Sequence, residues 1–210
     1  MICCLQKKCK QIALFSLIIF VILVFLLKFG ILNSINKAVY TFFNEHENSK
    51  MYHIAIDFSD LFGSIGSLVI FSGMMIIFLK LHKIKEGLFS VIFAALSVGA
   101  TILVKYTLLV PRPLHSINGL SGYSFPSGHA VSSIVIAIVF FLLISRIVKN
   151  NIILHVVTFF LIIYIFVSML ARVYIGSHWM SDILGSVLLV VFCYAISCLL
   201  FKVIISKVNL

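Results

Sequence analysis

The stretch Ile152–Ala171, IILHVVTFFLIIYIFVSMLA, decides what kind of fold this chain can adopt. It runs for 20 residues without a Lys, Arg, Asp or Glu. A helix needs about 20 apolar residues to cross the hydrocarbon core of a bilayer. The stretch therefore predicts a membrane-spanning helix.

Five similar apolar runs lie on either side of this one. They are roughly Ile12–Leu27, Leu61–Leu79, Leu88–Leu109, Ala130–Ile147 and Ile183–Val203. Hydrophobic residues make up 62% of the chain and charged residues 10%, against about 45–50% and 25% in soluble domains. This composition excludes a soluble globule, a disordered chain and a disulfide-stapled secreted module. We predict an all-α polytopic membrane protein, a single domain over residues 1–210 with six transmembrane helices in a bundle.

The two ends of the first span bear on how it is used. Its basic start resembles a signal peptide, but the run is too long and no small-residue cleavage site follows. We interpret it as an uncleaved span.

Between it and the next span, Ile31 to Lys50 carries Ile31, Ile35, Val39, Phe42 and Phe43 at helical spacing. This pattern predicts an amphipathic helix in the outer membrane interface, either guiding lipid or serving as a packing element.

The net charge of +10 is better explained by membrane topology than by a nucleic-acid partner. Six spans put both termini on one side, and ten of the 16 Lys and Arg residues then fall there. Because short cytoplasmic loops are enriched in Lys and Arg, the termini are predicted to be cytoplasmic. The compact chain suggests the bacterial inner membrane.

The chain has five cysteines: Cys3, Cys4, Cys9, Cys193 and Cys198. They form no metal-ligand pattern and suit small buried positions, although a disulfide or lipidation role stays open.

Three polar stretches remain, and this topology puts all of them on the outer face. The first is Lys105–Pro113, KYTLLVPRP. Pro111 and Pro113 are expected to end the helix, which leaves Lys105 and Arg112 at the mouth of the third span. Alone, the two cations are equally typical of side chains that reach from a helix end toward water.

The second stretch is Pro126–His129, PSGH, which precedes an apolar helix. Ser127 is placed at or near the N-cap, where backbone N–H groups form an anion site. Gly128 lets an oxyanion approach the backbone, and His129 would stand beside it as an acid. The alternative is a capping motif with an incidental histidine.

The third stretch, Arg172–Asp182, reads RVYIGSHWMSD. His178 and Asp182 are four residues apart and are expected to share a helix face. A carboxylate that accepts from one ring nitrogen leaves the other nitrogen free to act as a nucleophile. A purely structural His–Asp pair is the alternative. With three cations and only one acid on this face, the combined site should bind an anion with several oxygens, and phosphate fits best.

These stretches resemble the signature of the type 2 phosphatidic acid phosphatase superfamily: Lys-x6-Arg-Pro, Pro-Ser-Gly-His and Ser-Arg-x5-His-x3-Asp. The motifs occur in order and with the family's internal spacing between Lys105 and Asp182. The one departure is Ala171, where the family usually has serine. That change puts some rate or affinity in doubt, but not the chemistry.

The resemblance implies a metal-independent lipid phosphatase without a cofactor, working through a phosphohistidine. His178 would attack the phosphate, Asp182 would orient His178, and His129 would protonate the leaving oxygen. The phosphate oxygens would be held by five residues: Lys105, Arg112, Ser127, Gly128 and Arg172. No carboxylate cluster for a metal is evident on this face, because Asp57 and Asp60 are remote in sequence and Glu45 and Glu47 belong to a polar loop.

The expected partners are the bilayer and a membrane lipid phosphate, with no nucleic acid; the sequence leaves the oligomeric state open. Members of this family act on undecaprenyl diphosphate, phosphatidylglycerol phosphate, phosphatidic acid and lipid A phosphate. The small size and outward-facing site favour undecaprenyl diphosphate by analogy. Two different classes stay open: an ion-coupled transporter and a phospholipid binder without turnover.

Overall fold

The computed structural model describes residues 6–44, 50–61, 63–113 and 122–208. In these ranges the chain forms eight helices and no strand. The helices are α1 (Gln6–Lys28), α2 (Asn33–Asn44), α3 (Lys50–Leu61), α4 (Ser64–Lys80), α5 (Ile84–Leu108), α6 (Gly128–Ile147), α7 (Asn151–Tyr174) and α8 (Met180–Val208). The predicted all-α class is confirmed.

Five of these helices, α1, α5, α6, α7 and α8, are long and apolar enough to cross a membrane. The predicted second span, Leu61–Leu79, corresponds to α4, whose apolar part, Ile65–Lys80, is shorter than the other five. The chain is therefore a membrane protein with five candidate spans and one shorter apolar helix. The predicted count of six spans stays a prediction.

The segment between the first two predicted spans is divided into α2 and α3. Within α2, Asn36 is buried, while Ile35 and Phe42 are exposed. The predicted apolar stripe therefore does not face the bundle as a unit. Asn36 faces the protein because its amide hydrogen-bonds Ser181 of α8, with Nδ2 to Oγ at 2.9 Å and Ser181 N to Oδ1 at 3.2 Å.

The bundle is organised around α8, which packs against α1, α5 and α6. Phe89 and Phe93 of α5 are fully buried there, and both rings meet Tyr194 edge to face at 5.7 and 5.5 Å. Edge-to-face pairs of this kind add stability beyond the area they bury. Many apolar side chains elsewhere, such as Phe159 and Phe166 of α7, point outward, as expected where the surrounding solvent is lipid.

Two chain reversals bring the polar stretches to one end of the bundle. Helix α5 ends at Leu108, and Leu109 follows in a left-handed conformation with φ 54°. Helix α7 ends at Tyr174, and Gly176 turns the chain with φ 69°, which glycine adopts without the penalty of a side chain. The ends of α5 and α7 thus meet the starts of α6 and α8.

Candidate active site

His178 lies in the turn between α7 and α8, not in a helix. The N–H groups of Ser177 and His178 both donate to the carbonyl of Arg172, at 3.1 and 3.2 Å. This turn holds the imidazole directly ahead of α8, whose first turn carries Asp182. The expectation that His178 and Asp182 share a helix face is therefore wrong, because Gly176 ends α7 before His178. The two side chains meet nonetheless.

Nδ1 of His178 lies 3.2 Å from Oδ2 of Asp182. The same oxygen accepts the backbone N–H of Trp179 at 2.9 Å. The side chains are 2% and 0% exposed, so water does not compete for the carboxylate. With Asp182 at Nδ1, Nε2 of His178 is the nitrogen that faces Arg112.

Arg112 stands on the other side of the imidazole. Its Nη1 donates to the carbonyl of Ser177 at 2.9 Å and lies 3.4 Å from Nε2 of His178. Since α5 ends at Leu108, Arg112 reaches this position from an extended segment and not from a continued helix. Lys105, on the last turn of α5, donates through Nζ to the carbonyl of Tyr123 at 2.9 Å.

Arg172 is the most buried of the three predicted cations, with 4% of its surface exposed. Its Nη1 donates to the hydroxyl of Ser59 on α3. Helix α3 thus contributes to the site, a contribution that the sequence analysis missed. Spacing gave no signal for it, since Ser59 is 113 residues from Arg172.

Ser127 is the N-cap of α6, and its hydroxyl accepts the N–H of Ala130 at 3.4 Å. The residue is fully buried, whereas Gly128 beside it is exposed. His129, half-buried, follows in the first turn of α6. The backbone at Gly128 is therefore more accessible to an anion than the Ser127 hydroxyl, which was predicted to bind phosphate.

Ser186 clamps this motif to α8. Its hydroxyl accepts the N–H of Ser127 at 2.9 Å and lies 3.2 Å from the Ser127 carbonyl and 2.7 Å from the Asp182 carbonyl. Ser186 is completely buried and lies one turn after Asp182. This role was not predicted from the sequence, although a serine four residues after Asp182 lies on the same face of the helix.

Close packing fixes the same junction. A Cβ atom on Gly185 would lie 2.3 Å from the ring of Phe125, so only glycine allows this approach. The Phe125 ring is fully buried and rests against Phe20 of α1 at 5.8 Å between centroids. The segment before the second motif is thereby wedged between α1 and α8.

Ala171 stands where the family usually has serine, but another hydroxyl lies nearby on α7. Ala171 is buried. One turn earlier on α7, the hydroxyl of Ser168 lies 2.5 Å from that of Ser133, which donates to the carbonyl of His129 at 2.8 Å. A polar connection between α7 and the second motif therefore exists without a serine at 171.

The site is strongly electropositive. His178 feels Arg172, Arg112 and Lys105 electrostatically, and His129 feels the same three cations and His178. Burial in the first place, and these cations in the second, lower the pKa of His178 well below its usual value. The environment of His178 therefore favours its neutral form. Burial also lowers the pKa of the Arg112 guanidinium.

Some predicted features fall outside the described residues, namely Cys3, Cys4, Glu45 and Glu47. Cys9, Cys193 and Cys198 are buried and form no disulfide. Over residues 6–44, 50–61, 63–113 and 122–208, no group of three or more His, Cys, Asp and Glu side chains is arranged to hold a metal ion.

Comparisons with known proteins bear on the fold and the family. No curated protein matches the chain significantly. The crystal structure described as the first transmembrane PAP2 type phosphatidylglycerolphosphate phosphatase from Bacillus subtilis is similar, with a TM-score of 0.70. It has 20% sequence identity over 93% of this chain and 96% of the other, which shows the shared fold. The profile of the PAP2 superfamily matches residues 10–205. The chain therefore belongs to the PAP2 superfamily of membrane phosphatases, as its three motifs predicted.

Proposed function

We propose that this phosphatase removes the terminal phosphate of a membrane lipid phosphate through a phosphohistidine on His178. The observation that carries the proposal is that the His178 imidazole lies between the carboxylate of Asp182 and the guanidinium of Arg112. Asp182 Oδ2 lies 3.2 Å from Nδ1, and Arg112 Nη1 lies 3.4 Å from Nε2. A phosphate held by Arg112 would therefore stand directly before the free nitrogen of a neutral imidazole.

In the first step, Nε2 attacks phosphorus and the P–O bond to the lipid breaks. Asp182 stabilises the positive charge that develops on the imidazole, as a buried aspartate does in other His–Asp pairs. His129 takes up a proton when the anionic phosphate binds beside it, gives this proton to the leaving lipid oxygen and becomes neutral again. In the second step, His129 takes a proton from water, the water oxygen attacks phosphorus, the P–N bond breaks and inorganic phosphate leaves.

The cations Lys105, Arg112 and Arg172 would hold the equatorial oxygens during both steps, with the Gly128 N–H. Phosphoryl transfer depends mainly on positioning and on stabilising charge over these oxygens. The buried Arg172 and the half-buried Arg112 act where water screens them least. Ser127 would join them only if its hydroxyl turned away from Ala130.

For the substrate, we propose a lipid diphosphate, with undecaprenyl diphosphate as the first choice. Phosphatidylglycerol phosphate is the second choice and has the support of the similar fold of the Bacillus subtilis phosphatase. Lipid A and phosphatidic acid are the remaining candidates. We further propose a site on the outer face of a bacterial inner membrane, supported by the excess of Lys and Arg on the side of the termini.

Phosphate release by purified protein in detergent with EDTA tests the reaction. The four lipids are offered to wild type and to His178→Ala and His178→Asn. We expect release from wild type alone, with a histidine-bound phosphate that alkali spares and acid releases. Turnover by folded His178→Ala would remove His178 as the nucleophile. No release from any lipid by the wild type would favour a binder without turnover.

A C-terminal GFP fusion tests the topology. GFP folds in the cytoplasm but not after export across the inner membrane, so the fusion should be fluorescent. A full-length, membrane-inserted fusion that is not fluorescent would place the C-terminus outside the cytoplasm. By the same topology, the site would then face the cytoplasm.

A further inference from the structure

Two adjacent cavities, one apolar and one polar, lie near the candidate active site. The first, about 640 Å³, lies between α1 and α5 and is lined by apolar side chains such as Val21, Phe25 and Leu103. The second, about 410 Å³, lies where the ends of α1 and α5 meet α2 and the start of α8. Lys28 and Leu108 line both, so the two cavities are adjacent.

The two cavities differ in chemistry. The side chains of the first that face outward, such as Phe25 (59% exposed) and Leu103 (70% exposed), make a groove open to lipid. The second is lined by Lys28 at the end of α1, by Lys37 of α2, and by the amides of Asn33 and Asn36. No acidic side chain lines it in the part of the chain that the structure describes. An apolar groove that ends under two lysines matches a lipid with an anionic headgroup.

The polar cavity reaches the chain neighbours of two proposed site residues. Pro111 and Trp179 line it, and each is the neighbour in sequence of a proposed site residue, Arg112 and His178. The indole Nε1 of Trp179 donates to the carbonyl of Pro111 at 2.9 Å, so these two residues form its wall toward the site. Ser181, held by Asn36, forms another part of the lining.

We propose that the two cavities form one channel, which binds the non-reacting part of the substrate. The lipid chain lies in the groove between α1 and α5, and the phosphate that stays on the lipid lies between Lys28 and Lys37. The terminal phosphate then reaches His178 past Trp179. This inference rests on the proposed lipid phosphatase reaction and narrows its substrate class, because it requires a second phosphate between the reacting phosphate and the chain.

Binding to the His178→Ala protein tests the channel without turnover. Trp179 is the single tryptophan of the chain, so its fluorescence reports on the cavity wall. The probes are geranylgeranyl diphosphate and geranylgeranyl monophosphate, which share one chain and differ by one phosphate. We expect the diphosphate to bind about tenfold more tightly, as two partly exposed charge pairs would give.

The preference should disappear in Lys28→Gln/Lys37→Gln on the same background. Lys50→Gln, an exposed charge at the start of α3, is the matched control and should keep it. Equal binding of the two probes, or a preference that survives the double substitution, would overturn the assignment of the two lysines.

The groove has its own test. Val21→Phe narrows it and should weaken both geranylgeranyl probes about equally, while binding of inorganic pyrophosphate stays unchanged. If inorganic pyrophosphate binds as tightly as geranylgeranyl diphosphate, the groove contributes nothing and the proposal fails. None of these binding measurements needs catalysis, so they can exclude the channel without excluding the phosphatase reaction. Phosphate release by the wild type tests that reaction separately.

Discussion

The backbone N–H of Ser127 donates to the hydroxyl of Ser186 over 2.9 Å, and that hydroxyl lies 2.7 Å from the carbonyl of Asp182. One buried side chain therefore joins the start of α6, which carries His129, to the turn of α8 that orients His178. The relative position of the proposed acid and the proposed nucleophile depends on this serine.

Replacing Ser186 by alanine should loosen that connection. It leaves the buried N–H of Ser127 without its partner, which costs about 1–3 kcal/mol. We expect a lower kcat with a small change in KM, and a lower melting temperature in detergent. Ser197→Ala is the matched control, because Ser197 is equally buried on α8 but donates only within its own helix, to Cys193. Equal losses of kcat in both variants would show that Ser186 has no special role.

The acid role of His129 predicts a dependence on the leaving group. His129→Ala should lower kcat by roughly 10²–10⁴-fold on a lipid alcohol leaving group, because the departing oxygen then lacks its proton. On p-nitrophenyl phosphate, whose leaving group needs no proton, the loss should be much smaller. Steady-state rates on both substrates decide this. A loss of the same size on both would assign His129 to binding.

Arg112→Lys should be damaging although it keeps the charge. The guanidinium places one nitrogen at both the Ser177 carbonyl and the imidazole of His178, and an ammonium lacks the planar fork that also serves a phosphate. Loss of a charged hydrogen bond, about 1.5–3 kcal/mol, corresponds to roughly 10–100-fold in kcat/KM. Lys105→Arg is the comparison, since Lys105 contacts a single carbonyl. An Arg112→Lys enzyme with wild-type kcat/KM would show that charge alone is required.

The lowered pKa of His178 makes stability depend on pH. The unfolded chain, with an ordinary histidine pKa of about 6.5, binds the proton before the folded protein does. The contribution of neutral His178 is therefore complete above about pH 6.5 and is lost as the pH falls toward the folded pKa. Apparent melting temperatures in detergent should fall more between pH 7.5 and 5.5 for wild type than for His178→Asn. Parallel curves would mean that His178 titrates normally.

Much of this architecture follows from the sequence. Uninterrupted apolar runs locate the long helices, because only helices satisfy their backbone groups within a bilayer. The three motifs predict the site residues, since cations, a helix start and two histidines on one face have few other uses. The family comparison agrees with the family that the motifs indicate.

What the sequence did not reveal are contacts between distant segments. Asn36 and Ser181 are 145 residues apart, and nothing local marks them as partners. The periodicity of α2 predicted an amphipathic helix in the outer interface, but it did not predict that Asn36 holds α8. The turn at Gly176 similarly removed His178 from the helix on which spacing had placed it.

The contact between Gly185 and the Phe125 ring has a consequence for how this protein can change over evolutionary time. The ring is held by Phe20 and cannot retreat, so an alanine at 185 is tolerated only after a smaller residue has replaced Phe125. Position 185 therefore cannot change alone, and a larger residue there is expected among homologues only together with a smaller residue at 125. Such covariation would reveal the contact between α8 and the segment before the second motif, even where the catalytic motifs themselves do not vary.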